Sequence, residues 1–240
     1  MTHAPATVAH RMVAHRMVAH RTAVDDVYDY LHGRISTMDL KPGDRISEAD
    51  IAAQFGISRQ PVRDAFSRLA NLDLLLIRPK RATEVRRFSM RAIEKARFVR
   101  AAIEKEVLHR AAARCDASGA ARLDEALAEQ AAAVAAGDVE AFGRLDYEFH
   151  EVLCEIGGVD YAFDVIQEEK AKVDRLCMLA LSKGRRMPDL VADHRAMAEA
   201  VSSHDAGAAI AAGMKHLSRL DETIERITAM NANYFERPED

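Results

Sequence analysis

The stretch LDYEFHEVL at residues 145–153 holds an aspartate and a histidine four positions apart, Asp146 and His150. Apolar residues recur around them at helical spacing, which predicts an amphipathic helix. Because residues four apart share one helix face, both side chains could bind one cation. A carboxylate with an imidazole suits a divalent transition metal. By itself, however, the pair is better explained as a solvated polar face.

Two more histidines occupy similar segments later in the chain. His194 lies in VADHRAMAEAV and His216 in AAGMKHLSRL, each beside apolar residues at helical spacing. In helical bundles, inward-facing side chains on separate helices commonly assemble one metal site. The three segments together would supply one carboxylate and three imidazoles.

The bulk composition allows a folded protein of one large or two modest domains. The chain has 240 residues, of which 49% are apolar, so a hydrophobic core is expected. Three widely spaced cysteines are typical of reduced thiols in the cytoplasm. The chain has no long apolar run, so we expect no membrane span, and its start does not resemble a signal peptide.

The chain divides into four segments by sequence pattern. Residues 1–22 contain a repeated VAHRM unit whose period of five fits neither a helix nor a strand. We predict a disordered tail there, with metal binding by the histidine-rich tract as the alternative. Residues 23–88 are predicted to form one domain and residues 89–232 another, followed by a tail over 233–240.

The first domain is predicted to contain three helices and a β-hairpin. LKPGDRIS at 40–47 is expected to form a turn between the first two helices. Ser47 and Ser58 are the predicted N-caps of the second and third helices, and Gly56 ends the second. The hairpin is expected to pair residues 74–77 with 83–85.

The third of these helices is expected to enter the major groove of DNA, as in a helix-turn-helix protein. The net charge of the whole chain is −4, but residues 58–87 include eight basic and only three acidic side chains. Such a basic face is typical of phosphate binding. The predicted DNA-contacting residues are Ser58, Arg59, Gln60, Arg63 and Arg68, with Lys80 and Arg81 in the wing. A winged helix that contacts protein is the alternative.

The second domain is predicted to be an all-α bundle of six or seven helices. Breaker residues become sparse after residue 90, and the long segments have helical periodicity. The predicted helices span 91–114, 118–136, 139–155, 160–182, 188–203 and 206–231, with Asp138 and Asp205 as N-caps. The expected fold class is therefore mostly α, with an N-terminal winged helix-turn-helix and a C-terminal bundle.

Residues 40–85 resemble the winged helix-turn-helix of GntR-type bacterial transcriptional regulators. The similarity is carried by PG, E-x-x-I-A, G-I-S-R-x-P-V-R-D-A and RP. The chain departs from this family at Asp73 and Ala82, where glycine is usual. Since glycine permits positive φ, these departures affect the expected turn of the wing and the contacts of Lys80 and Arg81.

The segments LDYEFH, DHRAM and SHDAGAAIAAGMKHL resemble the FCD ligand-binding domain of one GntR subgroup, over residues 93–229. This resemblance implies a metal site formed by Asp146, His150, His194 and His216. It implies zinc first, with nickel, manganese or iron as alternatives, and a small organic acid as effector at the open coordination positions. Arg100 matches the family's effector-contacting arginine and Arg175 is a second candidate, with a surface salt bridge as the alternative for each.

These observations predict a cytoplasmic transcriptional repressor and not an enzyme. We expect a homodimer bound to palindromic double-stranded operator DNA. A small carboxylate, such as a sugar acid, is expected to control whether the dimer leaves the operator or stays bound. Two alternatives stay open, a regulator that senses the metal itself and a metal-dependent enzyme. The enzyme alternative is weakened because the sequence shows no evident general base beside the ligands.

Overall fold

The computed structural model describes residues 21–181 and 186–236 of the chain. Almost all of the predicted N-terminal tail therefore lies outside the described residues. The elements are, in order, α1 (Ala23–Ser36), β1 (Arg45–Ile46), α2 (Glu48–Phe55), α3 (Arg59–Asn71), β2 (Leu75–Leu76), β3 (Thr83–Val85), α4 (Met90–Arg114), α5 (Ala117–Ala136), α6 (Val139–Gly157), α7 (Tyr161–Leu181), α8 (Met187–Ser202), α9 (Ala206–Met230) and a short 3-10 helix (Ala232–Tyr234).

The N-terminal domain is a winged helix-turn-helix, as its sequence predicted. Helices α1, α2 and α3 enclose a core that includes Leu31, Val62, Phe66 and Leu69, all fully buried. Val62, Phe66 and Leu69 lie on one face of α3, so the polar face of this helix is exposed to solvent. This packing leaves the polar side chains of the early turns of α3 exposed to solvent.

The expected hairpin is part of a three-stranded antiparallel sheet with the order β1-β3-β2. The interpretation of residues 40–47 as a turn alone was therefore incomplete, since Arg45 and Ile46 form β1 and pair with β3. A strand of two residues has no recognisable alternation of apolar and polar side chains. Its pairing partners lie almost forty positions later in the chain.

The predicted caps are mostly confirmed. The Ser47 hydroxyl accepts a hydrogen bond from the Asp50 amide, and Gly56 ends α2 at a φ of 65°. Ser58 stands at the N-cap position of α3, but its hydroxyl makes no capping hydrogen bond. The side chains of Asp138 and Asp205 cap α6 and α9.

The wing reaches its positive φ values without glycine. Asp73 has a φ of 56°, so this position does require the left-handed conformation. In the wing turn the left-handed residue is Lys80, with a φ of 60°, while Ala82 has no positive φ. The left-handed residue of the wing turn is therefore Lys80 and not Ala82.

Helices α4 to α9 form the C-terminal bundle, and the predicted fold class is confirmed. Its main core takes residues from all six helices, with Leu108, Leu123, Phe149 and Met197 almost fully buried. In the part of the chain that the structure describes, no helix is long and apolar enough to cross a bilayer.

The segment predicted as a tail from residue 233 contacts Phe88 through its backbone over residues 234–236. The Phe88 amide donates to the Tyr234 carbonyl at 2.8 Å, and the Glu236 amide donates to the Phe88 carbonyl at 2.9 Å. Phe235 is buried against Phe88, with ring centroids 5.5 Å apart. The contact joins residues far apart in sequence, which a local pattern cannot show. Residues 237–240 lie outside the described range.

Candidate metal centre

The structure brings the four predicted metal ligands together inside the bundle. Asp146 and His150 lie on α6, His194 on α8 and His216 on α9. Each offers one ligand atom, and these four atoms all lie within 4.8 Å of one another. All four residues are buried. The amphipathic pattern of α6 therefore turns its Asp-x-x-x-His pair inward, and the solvated-face alternative does not apply.

Three imidazole nitrogens in this cluster have no hydrogen-bond partner among the described residues: His150 Nε2, His194 Nε2 and His216 Nδ1. A buried polar atom without a partner costs about 1–3 kcal/mol. One cation would satisfy all three. Metal–nitrogen distances near 2.1 Å put two ligands of one ion at most about 4.2 Å apart, so the observed spacing needs only a small contraction. The residues therefore fit a divalent metal.

The electrostatics of the cluster favour the protonation states that ligate metals. Burial lowers the pKa of His150 to about 3, although Asp146 opposes this effect. The pKa values of His194 and His216 are also lowered, mainly by burial. Burial alone would raise the pKa of Asp146, but Lys170 and the surrounding histidines bring it well below its usual range. At neutral pH the site thus holds neutral imidazoles and a carboxylate, the forms that bind transition metals.

Side chains outside the ligand set hold two of the imidazoles in place. His194 Nδ1 lies 2.7 Å from Gln130 Oε1, and its ring stacks on Phe149 at a centroid distance of 4.4 Å. His150 Nδ1 lies 3.5 Å from Glu104 Oε2. In both rings the partner faces Nδ1, and Nε2 is the nitrogen that has no hydrogen-bond partner among the described residues.

A buried lysine on α7 completes the surroundings of Asp146. Lys170 Nζ lies 3.2 Å from Asp146 Oδ2 and 3.0 Å from Asp174 Oδ1. It also lies 3.6 Å from the centroid of the Tyr147 ring, a cation–π contact. The ammonium group balances the carboxylate that would otherwise be buried among neutral rings.

The sequence interpretation missed Gln130, Glu104 and Lys170. A signal existed for the two charged residues, because Arg100–Glu104 and Lys170–Asp174 are both spaced i, i+4 and form ion pairs. Gln130 is a single amide in the alanine-rich helix α5 and belongs to no motif, so no sequence signal pointed to it.

The two predicted effector arginines occupy different places. Arg100 is buried beside the cluster, where its Nε donates to Glu104 Oε1 at 2.8 Å. Arg175 instead lies at the junction of the two domains. Its guanidinium donates to the Arg86 carbonyl at 3.0 Å and lies 4.8 Å from the centroid of the Phe88 ring. Burial lowers the pKa of Arg175 to about 10.

A cavity of about 360 Å³ opens between α4 and α9, with Arg100 in its wall. Its other walls are largely apolar and include Val173, Met214, Leu217 and Leu220. Since Arg100 also contacts Glu104, which faces His150, one chain of contacts leads from this cavity to the candidate metal ligands.

The seven predicted DNA-contacting residues are all exposed: Ser58, Arg59, Gln60, Arg63, Arg68, Lys80 and Arg81. The first four lie at the start of α3, where a recognition helix meets base edges. Two of the arginines also have protein partners. Arg63 lies 3.2 Å from Glu48, and Arg68 lies 2.8 Å from Asp25 of α1.

Both halves of the chain match known families. The profile described as "Bacterial regulatory proteins, gntR family" matches residues 23–85, and the profile described as "FCD domain" matches residues 96–219. The winged helix and the helical bundle thus define a DNA-binding transcriptional regulator. The chain belongs to the GntR family and carries the FCD type of C-terminal domain.

Proteins named as transcriptional regulators match most of the chain. The chain is 32% identical to the HTH-type transcriptional repressor RspR of Escherichia coli K12, over 87% of this chain and 92% of that protein. It is also 32% identical to an HTH-type regulator in an unstable DNA locus of Streptomyces ambofaciens, over 88% of each chain. These relatives are transcriptional regulators, which confirms that the protein is not an enzyme.

Solved structures show the same fold at low sequence identity. A GntR regulator from Rhodococcus sp. RHA1 matches with a TM-score of 0.66 and 22% identity, over 84% of this chain and 97% of that one. Escherichia coli McbR/YncC matches with a TM-score of 0.65 and 19% identity, over 86% and 98% of the two chains.

Proposed function

We propose that this regulator is a repressor whose affinity for operator DNA is set by a small organic acid bound at a divalent metal in the C-terminal bundle. The observation that carries the proposal is the buried cluster of Asp146, His150, His194 and His216, with three imidazole nitrogens that lack a hydrogen-bond partner. The mixed carboxylate and imidazole ligands suit zinc first, with nickel, manganese or iron as alternatives.

The effector is proposed to be a carboxylate, such as a sugar acid, that reaches the metal beside Arg100. A bound divalent cation supplies a Lewis acid for carboxylate oxygens. The guanidinium of Arg100 adds a planar donor group suited to the same anion, and the adjoining cavity offers room for the rest of the molecule. We leave Arg175 out of this site, because its guanidinium contacts the Arg86 carbonyl and the Phe88 ring.

On the DNA side, α3 is proposed to dock in the major groove, with Arg59, Gln60 and Arg63 near base edges. A homodimer would place two such helices on a palindromic operator, and the chain would act in the cytoplasm, where bacterial DNA lies. The name of the Escherichia coli relative, a repressor, supports the direction of control. A hundredfold change in DNA affinity requires about 2.7 kcal/mol of coupling to the effector.

The first test measures metal content and DNA binding in one preparation. Metal-loaded and chelator-treated protein would be titrated with an operator duplex selected from a random library, using fluorescence anisotropy. A thermal-shift screen of sugar acids and dicarboxylates then identifies ligands, since a true ligand stabilises the fold by mass action. The hits should change the operator Kd of the metal-loaded protein only.

The variant His194→Ala separates the effector response from DNA binding itself. It should lose the response to the acid while keeping its helical content and its binding to the operator. A preparation that takes up no divalent metal would refute the proposal. If the metal alone changes the operator Kd, with no acid present, the protein is a metal sensor instead.

A further inference from the structure

Gln130 is fully buried in α5, a helix that supplies no metal ligand, yet its amide group contacts two of the helices that do. Its Nε2 donates to the Leu145 carbonyl on α6 at 3.1 Å. Its Oε1 lies 2.7 Å from Nδ1 of His194 on α8. Leu145 directly precedes Asp146 in the chain, so one amide connects the backbone beside one ligand with the side chain of another.

The two contacts together determine how the amide and the imidazole are oriented. The Leu145 carbonyl can only accept a hydrogen bond, so the amide nitrogen must face it. The amide oxygen then faces His194 and can only accept. Nδ1 of His194 must therefore carry the proton and donate to Gln130, which leaves the lone pair on Nε2.

That lone pair is on the side where the ligand atoms converge. His194 Nε2 has no hydrogen-bond partner among the described residues and lies 3.5 Å from Asp146 Oδ1. The opposite tautomer would place a proton on Nε2 and point it at the metal position. A neutral imidazole has one donor and one acceptor nitrogen, so the tautomer protonated on Nδ1 is the one that is ready to bind a metal through Nε2.

We propose that Gln130 is a positioning residue of the metal centre: its amide oxygen selects the Nδ1-protonated tautomer of His194, and its amide nitrogen ties that ring to the backbone beside Asp146. The inference rests on the proposed metal site. Partners that hold a ligating histidine by its second nitrogen generally change metal affinity 10- to 100-fold when they are replaced.

Two substitutions at Gln130 and one control separate this role from packing. Gln130→Met has a similar size but offers neither donor nor acceptor. Gln130→Glu keeps an oxygen toward His194, and when protonated it also donates to the Leu145 carbonyl. Leu127→Ala removes a core side chain one turn earlier on α5 and touches no ligand contact described above.

Two measurements are made on the full-length protein. Zinc affinity is measured by competition with a chromophoric chelator, and the melting temperature is recorded for each variant. The tautomer of His194 is read from long-range ¹H–¹⁵N spectra of the imidazole in metal-free wild-type protein, which requires no variant to fold.

We expect wild-type His194 to carry its proton on Nδ1. Gln130→Met should weaken zinc binding about 10- to 100-fold, and Gln130→Glu should stay within about threefold of the wild type. Leu127→Ala should lower the melting temperature and leave the zinc Kd unchanged. A proton on Nε2 in the wild type, or unchanged affinity in Gln130→Met, would overturn the inference, as would equal losses in Gln130→Met and Leu127→Ala. A wild type that binds no metal but shows the Nδ1 proton would refute the proposed function and leave the tautomer assignment standing.

Discussion

The substitution His216→Leu should leave the metal-free protein about as stable as the wild type while abolishing its stabilisation by metal. His216 is buried, and its Nδ1 has no hydrogen-bond partner in the described part of the chain. Removing such an atom relieves about 1–3 kcal/mol. Repacking around a leucine of similar size costs up to about 1.5 kcal/mol. The metal-free variant should thus lose at most about 0.5 kcal/mol, whereas most buried substitutions destabilise.

By contrast, His216→Leu should remove the stabilisation that metal gives to the wild type. Metal at a free concentration 100-fold above its Kd stabilises the wild type by about 2.7 kcal/mol. For a chain of this size that corresponds to a rise of roughly 5–11 °C in melting temperature. The variant lacks one of four ligands from three helices, so this rise should shrink to a small fraction of the wild-type value.

The assay is urea unfolding followed by circular dichroism, with a chelator and with excess zinc, on the wild type, His216→Leu and the control Leu127→Ala. The control should be less stable under both conditions and retain the full gain from zinc. If His216→Leu is strongly destabilised without metal and still gains from zinc, the interpretation of His216 as an unsatisfied ligand is wrong.

Three other outcomes are expected. Because the pKa of His150 is lowered to about 3 and those of the other two site histidines are also lowered, the unfolded chain binds more protons below pH 6.5. The free energy of unfolding of the metal-free protein should therefore fall by up to about 1.4 kcal/mol per pH unit for each histidine as the pH falls from 6.5 to 5. Constant stability in urea titrations over this range would contradict the burial of neutral imidazoles. Arg63→Ala should weaken specific operator binding by about 1–3 kcal/mol with zinc affinity unchanged, and unaltered anisotropy titrations would show that α3 is docked wrongly. Arg175→Met removes the donor to the Arg86 carbonyl across the domain junction, so it should reduce the free energy of unfolding by about 1–3 kcal/mol without changing the zinc Kd. A weaker zinc Kd would place Arg175 at the metal site after all.

Much of the fold could be predicted because its signals are local. The N-caps Asp138 and Asp205 and the glycine that ends α2 mark helix boundaries with side chains that act within one turn. The recognition helix could be located because its apolar stripe has helical spacing and its polar face is basic. By contrast, β1 and the ordered segment up to residue 236 depend on partners distant in the chain, and no local pattern reported them.

The candidate site was likewise predictable mainly where its residues lie on one helix. Asp146 and His150 could be paired from their spacing, since one helix turn brings them together. His194 and His216 were joined to them by the general tendency of bundles to assemble inward-facing ligands and by resemblance, because spacing within a helix says nothing about which helices meet. Arg175 shows the limit of this reasoning: the sequence made it an effector candidate, and the packing of α7 placed it at the domain junction.

The sequence by itself predicted most of the helices, the basic face of α3 and the residue types of the candidate ligands, because these depend on side chains within a few turns of one another. Only the tertiary structure decided that the ligand atoms converge, that Lys170 balances Asp146, and that Gln130 faces both Leu145 and His194. These contacts join different helices, and their distances are set by how apolar faces pack. A metal centre needs its atoms placed to within a few tenths of an ångström, and packing between helices controls that placement.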